Sequence, residues 1–193
     1  MIVPIVEGHA ERDSIPVFIR RVLGDQAIYN MPVRAGFRVH RDKVVKEGEL
    51  ERAVETAIRE PNARALILLL DADDDCPKNL APGLLARGSN NSAGHPFATV
   101  IANVELEAWF IAGIESLRGQ RGIRHDAVRP DDPETIKDAK GWLTRHMING
   151  HTYVEVLDQP ALIATFDYTA AAARSRSLRK FLADVTRLGR GLM

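Results

Sequence analysis

Three stretches of this chain place carboxylates just beyond apolar segments. Glu7 follows Ile2-Val3-Pro4-Ile5-Val6, Asp71 and Asp73 follow Ala65-Leu66-Ile67-Leu68-Leu69-Leu70, and Glu105 and Glu107 come shortly after Phe97 to Ala102. A carboxylate at the mouth of a buried strand costs desolvation unless a cation or hydrogen-bond donors meet it. The pattern therefore reads either as a hard-cation site or as solvated acidic loops. In extended chain, Asp71 and Asp73 would point the same way with Cα atoms roughly 6 to 7 Å apart, close enough for both to reach one ion. Oxygen-only ligands select Mg²⁺ or Mn²⁺ over zinc. Glu11, just inside a helix start after Gly8, is either an acid favoured by the helix dipole or a further member of the site. Glu105 and Glu107 would stand about 200° apart on a helix, so only one of them turns toward the sheet edge.

These side chains need a scaffold that brings strand ends together. The apolar run before Asp71 reads as a strand buried on both faces, as in the middle of a parallel sheet. Residues 2–6 form another strand, after which Ile15, Phe18, Ile19, Val22 and Leu23 recur at helical spacing. Residues 31–39 are expected as a second strand, 47–59 as an amphipathic helix stopped by Pro61, and 97–102 as a fourth strand. Strand and helix alternate, the pattern of a parallel βαβ sheet. Residues 74–96, rich in Pro, Gly, Asn and Ser, are expected as a long loop. Beyond Leu117, helices are expected over 134–148, 159–165 and 177–188, with Asp132 as an N-cap before Pro133. Ligands of open α/β sheets gather outside the carboxyl ends of the strands, which is where the carboxylates fall.

Composition narrows the classes. The 193 residues carry 26 basic and 26 acidic side chains, so affinity for a polyanion must come from local asymmetry. Two regions have it: Arg34 and Arg38 with His40, Arg41 and Lys43, and Arg176, Arg179 and Lys180 near the end. Either could contact phosphates or be a solvated face. Apolar runs are too short to span a bilayer, and the N-terminal stretch lacks the basic flank of a signal peptide. Cys76 is the only cysteine, which rules out an internal disulfide and a thiolate zinc cluster and fits a reducing cytoplasm. His9, His40, His95, His125, His146 and His151 show no zinc spacing, and no glycine-rich phosphate loop or nucleophile elbow is present. A calcium loop beginning at Asp71 fails at Cys76, where glycine is needed, and at Pro82, where glutamate is needed.

Val6-Glu7-Gly8-x-x-Glu11, Leu69-Leu70-Asp71-Ala72-Asp73 and Glu105-Leu106-Glu107-Ala108-Trp109, in this order and spacing, resemble the Toprim superfamily. Within it the chain is most similar to proteins grouped as domain of unknown function 4276, related to the OLD-type nucleases. Ser175-Arg176-Ser177-Leu178 before a basic helix fits the same resemblance. It implies a Toprim/Rossmann-like α/β fold with a mostly parallel four-stranded sheet, flanking helices and a C-terminal helical extension. Residues 1–117 would be the core, and 118–193 the extension packed on it as one structural unit. It also implies Mg²⁺- or Mn²⁺-dependent phosphodiester cleavage. Glu7, Asp71 and Asp73 would be the metal ligands, Glu105 or Glu107 would complete the site, and Glu11 would serve a second metal or act as a base. A lysine assists in related nucleases, and Lys137 and Lys140 are the nearest candidates. The expected partners are a nucleic acid, met by Arg34, Arg38, Arg176, Arg179 and Lys180, and an ATPase, with no membrane. A non-catalytic subunit that binds a protein or nucleic acid, and a small-molecule phosphohydrolase, stand as alternatives.

Overall fold

In the computed structural model, which describes residues 1–193, four strands form one all-parallel sheet in the order β2-β1-β3-β4. They are β1 Ile2–Val6, β2 Phe37–Arg38, β3 Ala65–Asp71 and β4 Phe97–Ala102. The helices are α1 His9–Asp25, α2 Arg41–Val44, α3 Glu49–Ile58, α4 Pro77–Asn91, α5 Ala108–Ala112, α6 Ala139–Arg145, α7 Glu155–Thr165, α8 Tyr168–Ala172 and α9 Arg176–Gly191. The predicted α/β class and parallel sheet are observed, and the arrangement is consistent with a Rossmann- or Toprim-like fold. No helix is long and apolar enough to cross a membrane.

Alternation along the strands explains the two cores. Leu66, Leu68 and Leu70 of β3 join Val3 and Ile5 of β1 under Leu50, Val54 and Ala57 of α3 and Leu84 of α4. Ala65, Ile67 and Leu69 face the other way, under α1, α5 and the C-terminal helices. There Phe18 of α1 stacks on Phe181 of α9 at 5.0 Å between centroids and meets Phe166 at 5.2 Å and Trp109 at 6.1 Å. Residues beyond 117 thus share one continuous core with the sheet.

Register sets the functional edge. Val6 lies opposite Leu69, and Asp71 opposite Ala102, so the chain leaves β1, β3 and β4 at nearly one level. Glu7, Asp71 and the turn carrying Glu105 and Glu107 emerge together.

Two expected elements differ. Only Phe37 and Arg38 of the expected second strand pair as a strand, with an isolated bridge from Val33 to Ile2, because Pro32 lacks a donor and Gly36 bends in to donate to the backbone of α1. The expected loop at 74–96 is mostly helix α4. Pro77 opens the helix at a position where no N–H is needed, and Gly88 has a packing role: a Cβ there would lie 2.1 Å from the Phe97 ring. The expected helix at 134–148 is a 3₁₀ turn at Pro133–Thr135 followed by α6, while α7 begins four residues before the expected start.

The N-terminus of α9 is capped from within. Glu134 is buried and accepts from the backbone N–H of Arg176 and Ser177 and from the Ser175 hydroxyl. The Ser175 side chain in turn accepts from Leu178 N–H at 3.0 Å, and Ser177 Oγ accepts from the Trp109 indole at 2.8 Å. This accounts for the Ser175-Arg176-Ser177 motif as a helix cap, with the place of an anion taken by the chain's own carboxylate.

Candidate metal centre at the sheet edge

Glu7 follows β1 and is half-buried, and its Oε2 accepts no hydrogen bond. Burial raises its pKa, the charge of Asp73 raises it further, and Arg41 works against both. One turn into α1, Glu11 is 7% exposed. Its Oε1 accepts from Gln159 Nε2 at 2.9 Å, while its Oε2 is buried without a donor. Gln159 Oε1 accepts in turn from Ser14 at 2.7 Å. Gly8 makes room for this carboxylate, because a Cβ there would fall 1.9 Å from Glu11 Oε2 and 3.2 Å from Glu155 Oε1.

Asp71 ends β3 and accepts from Leu106 N–H at 2.8 Å. Desolvation holds its pKa well above the usual carboxylate range, with Glu107 and Glu11 adding to the rise and Lys140 opposing it. Asp73 does not lie beside it as extended chain would place it. The backbone turns left-handed at Asp73, with φ of 51°, and the side chain projects into solvent, 3.3 Å from Arg41 Nε. Arg41 also donates to the carbonyls of Asp71 and Ala72 at 3.0 and 2.8 Å and pairs with Asp75, so it clamps the turn beyond β3.

The structure distinguishes Glu105 from Glu107. Val104 is left-handed, with φ of 59°, and the chain after it sends Glu105 toward α6, where it accepts from Lys140 N–H at 3.3 Å. Burial raises the pKa of Glu105, with Lys140 opposing. Glu107 is fully buried; its Oε1 accepts from the Tyr153 hydroxyl at 2.9 Å, and its Oε2 has no hydrogen-bond donor. Burial pushes its pKa up to about 7, against Lys140.

The residues after 117 complete this edge. Lys140 Nζ stands 3.7 Å from Glu107 and 3.2 Å from Glu155. Burial alone would lower its pKa, but Glu107, Glu155 and Asp71 outweigh burial and raise it. Burial and the Glu107 charge raise the pKa of Tyr153, keeping it a donor. Lys137 is elsewhere, on the surface with Asp74. Glu155, Tyr153 and Gln159 carry no sequence signal: an acid in the first turn of a helix is ordinary, and neither a tyrosine nor a glutamine at these spacings marks a site.

Of the basic residues singled out in the sequence, Arg41 and Arg38 reach the cluster, Arg38 donating to the Glu7 carbonyl at 3.2 Å. Arg34 pairs with Glu60 at 2.6 Å near the opposite end of β1. Arg176, Arg179 and Lys180 lie on α9, where Lys180 pairs with Asp184 at 2.6 Å and Arg179 donates to the Ala172 carbonyl.

No three acidic, histidine or cysteine side chains stand in a cage ready to hold an ion. The charges that offset the cluster are Arg41 and Lys140. The residues nonetheless fit a hard cation, because three buried carboxylate oxygens, from Glu7, Glu11 and Glu107, are left without donors at one sheet edge.

A family model described as Domain of unknown function (DUF4276) matches residues 6–186. No curated protein and no solved structure matches.

Proposed function

This chain belongs to the family Domain of unknown function (DUF4276), and we propose that it is a Mg²⁺- or Mn²⁺-dependent phosphodiesterase of the nuclease type, related to the Toprim superfamily and the OLD-type nucleases. The observation that carries this reading is the Oε2 of Glu107, fully buried without a hydrogen-bond donor and faced only by the Lys140 ammonium at 3.7 Å, in one cluster with Asp71 and Glu11. Leaving such an oxygen bare costs on the order of 1–3 kcal/mol, a cost a cation would remove.

Glu7, Asp71 and Glu107 are the proposed ligands, with Glu11 and Glu155 bordering the same space and Asp73 free to join when Arg41 releases it. A bound divalent ion supplies Lewis-acid polarisation of a phosphoryl oxygen and lowers the pKa of a water. The protein's own groups do the rest. Gln159 fixes Glu11, leaving Oε2 directed away from the bonded oxygen, and Tyr153 fixes Glu107 through Oε1. Lys140 brings a persistent positive charge to the edge where negative charge grows on a phosphoryl group. The neutral overall charge supports an enzyme that draws part of its nucleic-acid affinity from a partner such as an ATPase.

One observation favours a second reading, a non-catalytic subunit. Arg41 and Lys140 already meet part of the negative charge of the cluster, an arrangement a protein without an ion can use. Calorimetry with Mn²⁺, followed by incubation with plasmid DNA, decides between them. Wild type should bind Mn²⁺ and nick the plasmid, and Asp71→Asn and Glu107→Gln should lose both. A wild-type chain that binds no Mn²⁺ overturns the enzymatic reading.

A further inference from the structure

Beside the carboxylates, along the sheet edge at β2, lie two adjoining grooves of about 460 and 300 Å³. Phe37 and Arg38 line both. His9 and Arg12 complete one groove from the first turn of α1, and His40 and Lys43 the other from the start of α2. The close approach that joins them depends on Gly36, whose N–H donates to the Arg12 carbonyl at 2.8 Å and where a Cβ would meet Val6 at 2.9 Å.

The charge here is unspent. Several carboxylates around the grooves are engaged by other cations: Glu60 by Arg34, Glu49, which lines one groove, by Arg52, and Asp73 and Asp75 by Arg41. Arg12, Arg38 and Lys43 are exposed and paired with no carboxylate. Arg38 instead donates to the Glu7 carbonyl at 3.2 Å and lies 2.7 Å from His9 Nε2, and it lines both grooves. The partly buried Phe37 ring packs on the core under α3, lines both grooves and carries Arg34 at 5.3 Å from its centroid.

We propose that this edge binds single-stranded nucleic acid, Arg12, Arg38 and Lys43 contacting successive phosphates beside Phe37 and leading the strand to the Glu7 carboxylate. A basic groove with an aromatic side chain in it is the arrangement that takes an unpaired strand, since every base offers a face to stack and every nucleotide a phosphate. The grooves are tied to the carboxylate edge by Arg38, which donates to the Glu7 carbonyl at 3.2 Å. On α9 the helix N-terminus is filled by Glu134, Lys180 pairs with Asp184 and Arg179 is held by the Ala172 carbonyl, and neither groove is lined by this helix. The inference rests on the phosphodiester reading for its direction and is tested without it.

The test is fluorescence anisotropy of a labelled oligothymidylate of about twelve nucleotides with the full chain in EDTA, titrated across salt. Wild type should bind, and the exposed double variant Arg38→Ala/Lys43→Ala should bind at least tenfold more weakly. The salt slope should be shallower by about 1.4, at about 0.7 for each of the two phosphates that then keeps its counterion. Arg176→Ala/Arg179→Ala should bind within about twofold of wild type. Equal binding by wild type and the groove variant overturns the proposal, as does tighter binding of duplex. Equally tight binding of a polyglutamate peptide overturns it in favour of an acidic protein partner. Adding Mn²⁺ separates the two readings: an oligonucleotide bound in the groove but never cut defeats the phosphodiesterase and keeps the groove. Cutting unaffected in the groove variant does the reverse.

Discussion

The Lys140 ammonium stands 3.7 Å from the buried Glu107 carboxylate, joining the helix α6 to the turn that leaves β4. Lys140 comes from the part of the chain beyond 117, and so do Tyr153, Glu155 and Gln159. The sheet delivers the acids, and the packed C-terminal helices deliver the groups that neutralise and orient them.

Lys140→Ala therefore leaves Glu107 without its cation. Because Glu107 titrates near 7, the loss is small at pH 5, where the carboxyl is protonated, and larger at pH 8. Lys140 is partly exposed, so the expected cost at pH 8 is about 1–2 kcal/mol, below that of a fully buried pair. Urea unfolding at both pH values measures it, and an equal loss at the two would contradict the pairing.

A carboxylate whose folded pKa is raised binds more protons folded than unfolded, so its contribution to stability is present below the unfolded value, 4.5, and lost as pH rises through 7. Glu7, Asp71 and Glu105 shift in the same direction. Cation-free protein should lose melting temperature steadily between pH 5 and 8. For Glu107 alone the loss is on the order of 3 kcal/mol. Glu107→Gln should flatten this slope, and Mn²⁺ should restore stability at the alkaline end. A flat wild-type profile in EDTA would refute the charge crowding.

Gly8→Ala tests the space and not the backbone, since Gly8 has φ of −90°, open to any residue. The added methyl displaces the end of the Glu11 side chain. The variant should fold within about 2 kcal/mol of wild type yet bind Mn²⁺ at least tenfold more weakly by calorimetry. Unchanged Mn²⁺ affinity would place Glu11 outside the site.

Gln159→Ala removes the link between Ser14 and Glu11 and strands two buried polar groups. A loss of about 2–4 kcal/mol in denaturant unfolding is expected. Weaker Mn²⁺ binding should accompany it, because Glu11 then turns freely.

Glu134→Ala is the control for stability without function. It removes the acceptor of the Arg176 and Ser177 N–H groups and of the Ser175 and Ser177 hydroxyls while the Ser175 cap on Leu178 stays, at an expected cost of about 2–4 kcal/mol. Mn²⁺ affinity of the folded protein should be unchanged.

Much of the framework was legible because burial on both faces leaves a mark: β3 reads directly from an unbroken apolar run, β1 and β4 from runs interrupted only by Pro4 and Thr99, and the acids beyond them from the change in character. Helix α4 was not, since Pro77, Pro82, Gly83 and Gly88 read as loop until Phe97 explains Gly88 and the helix start explains Pro77. The expected side-by-side placement of Asp71 and Asp73 failed because Arg41 holds the turn in a left-handed step at Asp73. Glu155 and Gln159 reach Glu11 only through the packing of α7 on α1, a contact between residues too far apart for any spacing rule.

The aromatic contact of Phe18 with Phe166 and Phe181 bears on how the protein comes into being. A nascent chain that has emerged from the ribosome only as far as Leu117 has every strand, but Phe18 and Trp109 lack their C-terminal ring partners and the acids lack Lys140. Such a half-made molecule exposes an oily face and a self-repelling acidic rim. The face of the sheet and its charged edge are thus both completed by the same C-terminal helices.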